Sequence, residues 1–392
     1  TQVLKEEPRL FQDDLDQVTL RRAIQHSLEF LSKLSPGTLV GEQPRKITAE
    51  EIRTSLLSFL DLLDLWDQPE LFAKEIRSRF DLLQLDRNTL EGKALFTGYY
   101  QPIIDGSLTK TPLYRFPLYR KPDDLIEVDL GSFRTRFRGE KLVGRRDGHR
   151  LVPYLSRREI DALGRLKGKG YEIAWVKDAI DLFFLQIQGS GILHLEDGRL
   201  INLNYAASNG RPYRSIGRIL VDSGKISEEG LSMQRLRRYL LEHPGERDKI
   251  LHQNESYVFF RIVDRGPLGS LEVPLTPGRS IATDAHFYPR GALCFIMARK
   301  PILDAIGNVV RWEPFSRFVL NQDTGSAILG PGRADLYFGS GYNAGLAAGN
   351  MKSSGQIYFL IQKKAVQSPT VKTEAETSFV SGQYPGRFRG KS

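Results

Sequence analysis

In the N-terminal part of the chain, apolar residues recur every three or four positions: Leu15, Val18, Ala23, Ile24, Leu28, Phe30 and Leu31 share one face at helical spacing. Thr48-Ala49-Glu50-Glu51 then has the form of a capping box, in which a hydroxyl receives the third helical amide and a carboxylate returns to the cap amide. Ile52, Leu56, Leu57 and Leu60 follow it. Two or three helices are predicted. From about Asn88 the pattern becomes short apolar and aromatic runs broken by Gly and Pro, such as Leu95-Phe96-Thr97-Gly98-Tyr99-Tyr100 and Tyr257-Val258-Phe259-Phe260, which predict strands. Two short helices interrupt them, one opened by the box Ser156-Arg157-Arg158-Glu159 and one from Met233 to Leu241 with basic residues on its solvent side. The run Asp181-Leu182-Phe183-Phe184-Leu185-Gln186-Ile187-Gln188 reads as a strand alternating apolar residues with Gln186 and Gln188, ending in Gly189-Ser190-Gly191. The pattern predicts a mainly β chain with N-terminal helices, an α+β class. Residues 366–392, almost without apolar content, are predicted to be a disordered tail.

At 392 residues the chain exceeds what one hydrophobic core usually supports, so two domains are expected. Its 40% hydrophobic, 26% charged and 10% aromatic composition is that of a soluble globular protein, and no apolar run approaches the roughly 18 residues that span a bilayer. The start, Thr1-Gln2-Val3-Leu4-Lys5, lacks an export signal; the protein is therefore expected to be cytosolic, or its signal lies outside this chain. A single cysteine, Cys294, excludes an intrachain disulfide and a cysteine-built zinc site. The histidines His26, His149, His194, His243, His252 and His286 show no metal-binding spacing, so neither a catalytic metal nor a cofactor is expected. A net charge of +9 suits an acidic polymer: nucleic acid, an anionic membrane surface or a carboxylate-bearing cell wall. The basic segment from Arg134 to Arg150 reads as a solvated loop in preference to a polymer-binding face. No solenoid-period repeat is visible.

Candidate chemistry concentrates in three aspartates at predicted strand ends beside glycines or turns: Asp284 in Ala282-Thr283-Asp284, Asp323 in Gln322-Asp323-Thr324-Gly325, and Asp335 in Arg333-Ala334-Asp335-Leu336. Singly, each could merely shape a turn. Together, their mutual repulsion and partial burial would raise at least one pKa and leave a carboxyl holding its proton near neutral pH, which glycosidic cleavage requires. Gln186, Gln188 and Ser190, with the stretch Asn204-Tyr205-Ala206-Ala207-Ser208-Asn209-Gly210-Arg211-Pro212-Tyr213-Arg214-Ser215, offer the uncharged hydrogen-bonding groups and aromatic rings that sugar hydroxyl and acetamido groups need. Thr97-Gly98-Tyr99-Tyr100-Gln101-Pro102 repeats that theme.

On these residues the chain resembles the membrane-bound lytic murein transglycosylase A family, through Phe96–Pro102, Gln188-Gly189-Ser190-Gly191, Asn209-Gly210 with Tyr213–Gly217, Ser256–Phe260 and the three aspartates. The resemblance implies a double-psi β-barrel catalytic domain at 46–105 and 253–365, and a smaller inserted β domain at 106–252. A groove between them and an N-terminal helical region at 1–45 complete the expected organisation. It implies Asp335 as the catalytic residue, Asp323 and Asp284 as supporting acids, and Thr97, Gly98, Tyr99, Tyr100, Gln188, Ser190, Asn209, Tyr213, Arg214 and Ser215 as substrate-binding residues. The implied reaction breaks the β-1,4 bond between N-acetylmuramic acid and N-acetylglucosamine. Asp335 protonates the leaving oxygen and then takes the proton of the muramic acid C6 hydroxyl as a 1,6-anhydro ring closes, without water. The implied partner is the peptidoglycan glycan strand, with no nucleic acid. A monomeric periplasmic protein is expected, its outer-membrane association depending on a segment outside this chain.

Three other readings compete. Asp323-Thr324-Gly325-Ser326, with Val221-Asp222-Ser223-Gly224 posing as a second half, has the form of an aspartic protease loop, but it leaves the Gln188 and Asn209 clusters without a role. A carbohydrate- or nucleic-acid-binding module gives no reason for three aspartates on a basic protein. A hydrolytic muramidase differs only in letting water reach C1.

Overall fold

The computed structural model describes residues 11–43, 45–84, 93–228, 231–304, 307–325 and 327–364. All but Lys363 and Lys364 of these lie in one compact unit, Thr1–Gln362. The predicted tail at 366–392 falls outside the described residues.

Three helices come first, each with a local start signal. Gln17–Ser32 begins where the Asp16 carboxylate accepts from the Thr19 amide at 2.7 Å. Ala49–Leu62 begins at the predicted box, with Thr48 N donating to Glu51 Oε2 at 3.1 Å and Glu51 N to Thr48 Oγ1 at 3.3 Å. Pro69 opens Pro69–Arg79, where its missing amide costs nothing. Their buried faces, including Leu20, Ile24, Ile52, Leu56, Phe59 and Phe72, join one core with Phe96, Ile281, Phe295, Phe318, Leu336 and Phe359 of the strands. The helices and the strands behind them are thus held by shared apolar burial. A buried ion pair adds to it: Arg279 donates from one guanidinium nitrogen to Asp13 at 2.6 Å and to the Phe318 carbonyl at 2.8 Å, both charged side chains being at most 1% exposed.

The strands behind the helices close on themselves. In order around the wall they are Leu293–Leu303, Val309–Asp323, Ser280–Ala282, Arg333–Ser340, Ala94–Gln101 and Lys352–Gln362, which pairs back to the first. Two neighbouring pairs are parallel, Ser280–Ala282 with Val309–Asp323 and Arg333–Ser340 with Ala94–Gln101, and the rest antiparallel. This closed, mixed six-stranded barrel is the catalytic fold that the sequence led us to expect. Lys352–Gln362 pairs with Ala94–Gln101 through its first residues, Lys352 to Gly355, and with Phe80–Leu83 through its last, Phe359 to Gln362, so that Phe80–Leu83 extends the wall.

A second six-stranded sheet runs Val258–Val263, Leu200–Ser208, Ser190–Leu195, Ile103–Ser107, Glu172–Val176 and Phe116–Tyr119. The chain crosses from one sheet to the other at Pro102, between Ala94–Gln101 and Ile103–Ser107, and reaches the barrel again at Ser280. Ile103–Ser107 and Val258–Val263 therefore extend the second sheet slightly beyond the expected 106 and 252. A small sheet of Ile126–Asp129, Lys141–Asp147 and Arg150–Pro153 carries part of the basic segment, which is mostly solvent-exposed as expected, with Lys141–Asp147 a strand where a loop was expected.

The predicted strand around Gln186 and Gln188 is a helix, Ala179–Gln188. Ile180, Leu182, Phe183, Phe184, Leu185 and Gln186 are all buried because the helix is covered by the second sheet on one side and by helices Ile216–Asp222, Met233–Glu242 and Pro244–Leu251 on another. A helix buried nearly all round has no amphipathic period to display. Its boundary signals were nevertheless present: Asp178 accepts from Ile180 N at 2.7 Å, and Gly189 ends it with φ +76°, a left-handed turn that glycine adopts freely. Helix Met233–Glu242 and the Ser156 box stand as predicted.

Candidate active site

Barrel register brings two of the three aspartates onto one row. Asp335 lies opposite Ala282 on one side and Thr97 on the other, and Ala282 lies opposite Asp323. Residues in register across a sheet project to the same face, so Asp323, Ala282, Asp335 and Thr97 line one side of the wall. Ala334 and Leu336 turn the other way, into the core. Two strand spacings separate Asp323 from Asp335, roughly 10 Å between backbones, and the position between them carries only the methyl group of Ala282.

The two acids are held differently. Asp323 is saturated by donors: Oδ1 accepts from Ser270 N and Thr324 N, each at 2.9 Å, and Oδ2 from the Tyr99 hydroxyl at 2.9 Å. Burial nevertheless pushes its carboxyl up to about 6 against those bonds. Among the described residues Asp335 has one protein donor, the Thr97 hydroxyl on Oδ1, and Arg333 in turn donates to that hydroxyl at 3.3 Å. Burial pushes Asp335 up to about 7, with the Asp323 charge adding to the rise and the Arg333 guanidinium opposing it. Both residues keep part of their surface open to water. A carboxyl that titrates near neutrality and is open to water can both give and take a proton.

Asp284 behaves otherwise. Its Oδ2 accepts from Gly330 N at 2.8 Å and its Oδ1 from His286 N at 3.0 Å and pairs with His286 Nδ1 at 2.9 Å, and these bonds outweigh burial to hold the carboxyl below its usual value. Burial, more than repulsion among three acids, therefore raises Asp335, and Asp284 takes no part in that rise.

From Asp323 a groove of about 640 Å³ runs to the second sheet, lined there by Gln186, Gln188, Ser190, Asn204, Tyr205 and Tyr213 and closed on one flank by the segment Leu268-Gly269-Ser270. That segment ties the two sheets together: Leu268 N donates to Asn204 Oδ1 at 2.9 Å while Ser270 N holds Asp323. Gln188 accepts from Tyr100 N at 3.0 Å, a second tie between barrel strand and inserted helix. Among the sequence-predicted residues, Thr97 and Tyr99 touch the acids, and Gln188, Ser190 and Tyr213 line the groove.

The others are placed elsewhere. Asn209 is fully buried, its amide donating to the Leu155 and Glu255 carbonyls at 2.9 and 2.8 Å and its oxygen accepting from Tyr257 N at 2.9 Å, so it has no group left for a ligand. Gly98 is a packing position: a Cβ there would lie 2.8 Å from the Ala348 backbone in helix Gly341–Asn350. Tyr100 lines a separate crevice with Phe184, Met233 and Tyr342. Ser215 caps helix Ile216–Asp222, accepting from Arg218 N at 3.2 Å, and Arg214 is exposed beside it, its amide bound to Asn254. Gln186 and Asn204, which the sequence placed in the same polar cluster, also line the groove; sequence reasoning missed the roles of Arg333 and the Ser270 amide, of which only Arg333, two residues from Asp335, carried a local signal.

Residues 95–261 match the MltA specific insert domain and residues 279–361 the 3D domain. The membrane-bound lytic murein transglycosylase A of Escherichia coli K12 is 33% identical over 283 residues, 71% of this chain and 69% of that protein. The Vibrio cholerae protein of the same name is 30% identical over 292 residues, 73% of this chain and 70% of that one. The chain belongs to the membrane-bound lytic murein transglycosylase A family. A crystal structure of a membrane-bound lytic murein transglycosylase from Agrobacterium tumefaciens superposes with a TM-score of 0.72 at 32% identity, covering 87% of this chain and 92% of that one. The E. coli MltA with bound chitohexaose gives a TM-score of 0.69 at 26% identity, with 92% and 94% covered. The protein is accordingly a peptidoglycan lytic transglycosylase of this family, with the closed barrel its members share.

Proposed function

We propose that Asp335 is the one catalytic carboxyl of the reaction, acid in its first half and base in its second. The observation that carries this is the contrast in hydrogen bonding: among the described residues Asp323 and Asp284 have both oxygens occupied by protein donors, whereas Asp335 has one, and burial pushes its carboxyl up to about 7. A hydrolase or a retaining glycosidase needs a second free carboxylate as base or nucleophile. Neither supporting acid is free to serve, so the substrate's own C6 hydroxyl fits as nucleophile. In the first half Asp335 gives its proton to the glycosidic oxygen as the C1–O bond breaks. In the second its carboxylate takes the C6 hydroxyl proton as that oxygen bonds to C1, returning Asp335 to its protonated form. The Thr97 hydroxyl positions the carboxyl, and Gln188, Ser190 and Tyr213 contact the glycan in the groove.

The cellular setting consistent with this substrate is the periplasm, in association with the outer membrane. Among the described residues no helix is long and apolar enough to cross a membrane. Digestion of purified peptidoglycan followed by mass spectrometry tests the chemistry: muropeptides should end in anhydromuramic acid, about 18 mass units lighter than hydrolysis products by the loss of one water. Reducing ends alone would establish a muramidase in its place.

A further inference from the structure

The inserted domain holds a second cavity, of about 540 Å³, that shares no lining residue with the groove. Its walls are apolar and aromatic, with Phe116 from one strand of the second sheet and Trp175 from the neighbouring one, and the capped helix Arg157–Asp161 brings Asp161 into it. Three carboxylates line the cavity, and two are occupied. Glu172 accepts from Gly168 N at 2.7 Å, and Asp248 pairs with Arg247 at 2.9 Å. Asp161 is paired more loosely: Arg157 lies 3.7 Å away, beyond hydrogen-bond reach, and the Tyr257 hydroxyl lowers its carboxyl only in small part against burial. Arg157 is itself committed to the Asn254 and Ser256 carbonyls at 3.0 and 2.6 Å and stacks on Phe183 and Tyr257. Water reaches 32% of the Asp161 side chain, yet protein surrounds it closely enough that burial raises its carboxyl to about 6.

A partly desolvated carboxylate with so long an ion pair, in a cavity that also holds an indole and a phenyl ring, suits an ammonium group, which gains both a charge-assisted hydrogen bond and cation–π attraction. The rim has the opposite character. Lys110, Arg115 and Lys167 are exposed there and have no acidic partner among the described residues; Arg115 only lies over Phe116, 5.2 Å from the ring centroid. We propose that this cavity binds an amino-acid-type zwitterion, its ammonium against Asp161 and its carboxylates on Lys110, Arg115 and Lys167. Two sources present that chemistry: a free amino acid, and the peptide stem of a peptidoglycan strand. The stem as ligand rests on the substrate proposed above; the zwitterion does not.

The test is fluorescence of Trp175 in the full-length protein titrated with diaminopimelate and, separately, with a stem tetrapeptide that contains it. Saturable binding of at least one is expected, at least tenfold weaker for cadaverine, which has no carboxylate, and for the bis-N-acetylated diaminopimelate, which has no ammonium. Asp161→Asn should weaken binding at least tenfold and leave cleavage of peptide-free glycan unchanged. Lys110→Glu with Lys167→Glu, both on the surface, gives the same readout should Asp161→Asn fail to fold. Tighter binding of the tetrapeptide identifies the stem, tighter binding of diaminopimelate the free amino acid, and either supports the zwitterion site. No saturable binding of either compound, or affinity unchanged in both variants, overturns it. Cleavage is read separately, so a failed transglycosylase assignment would leave the binding result standing.

Discussion

At the scale of residues, the environment of Asp335 sets two expectations with opposite signs for activity and stability. Asp335→Asn keeps the shape and loses the proton, so cleavage should fall by at least the roughly 10² to 10⁴ that a general acid or base contributes, while glycan binding persists. The same substitution should stabilise the fold at high pH. A carboxyl raised from 3.8 to about 7 has its full stability below the unfolded value and loses it as pH rises through the folded one. The melting temperature of Asp335→Asn should thus match the wild type below about pH 4 and exceed it above about pH 7, by up to roughly 4 kcal/mol in free-energy terms. Equal melting curves across that range would show that Asp335 is not held near neutrality. Asp323→Asn removes a charge that raises Asp335, so the alkaline limb of the pH–rate profile should move to lower pH. Asp284→Asn, held low by Gly330 and His286, should leave that limb in place. A shift with Asp284→Asn and none with Asp323→Asn would reverse their roles.

At the scale of elements, helix Ala179–Gln188 matters most, because it carries Gln186 and Gln188 into the groove and ties the inserted domain to Tyr100. Its start depends on the Asp178 cap, so Asp178→Ala should cost about 1 kcal/mol in denaturant unfolding and be rescued by Asp178→Ser. No loss on Asp178→Ala would mean that packing alone fixes the helix start. The difference between the expected strand and this helix has a physical origin. Periodicity reports which face meets water, and a segment covered on nearly every side reports none. Where a local cap was legible, as at Thr48 and Ser156, the helix starts where the sequence says. Where the evidence was polarity alone, as at Asn209, a buried structural amide looked the same as a ligand-binding one.

At the scale of the whole molecule, the N-terminal helices complete the barrel's core, and the Asp13–Arg279 pair fastens the first of them to the wall. Asp13→Ala leaves a guanidinium buried with carbonyl partners but no counter-charge, and should destabilise the protein by about 3 to 5 kcal/mol in urea unfolding. A change within about 0.5 kcal/mol would show that the carbonyls of Phe318 and Asp16 suffice to hold the arginine. The sequence by itself determined the β-rich class, the leading helices with the Thr48 cap and the family, and it singled out the three aspartates, since these depend on local pattern and on ordered motifs. Only the tertiary structure decided which of the acids lie together. Asp323 and Asp335 are joined through the register of three strands far apart in the chain, and Asp284, next to one of those strands, is turned to Gly330 and His286. Burial, which sets the Asp335 pKa, is a property of everything packed around a residue, and no short stretch of sequence contains it.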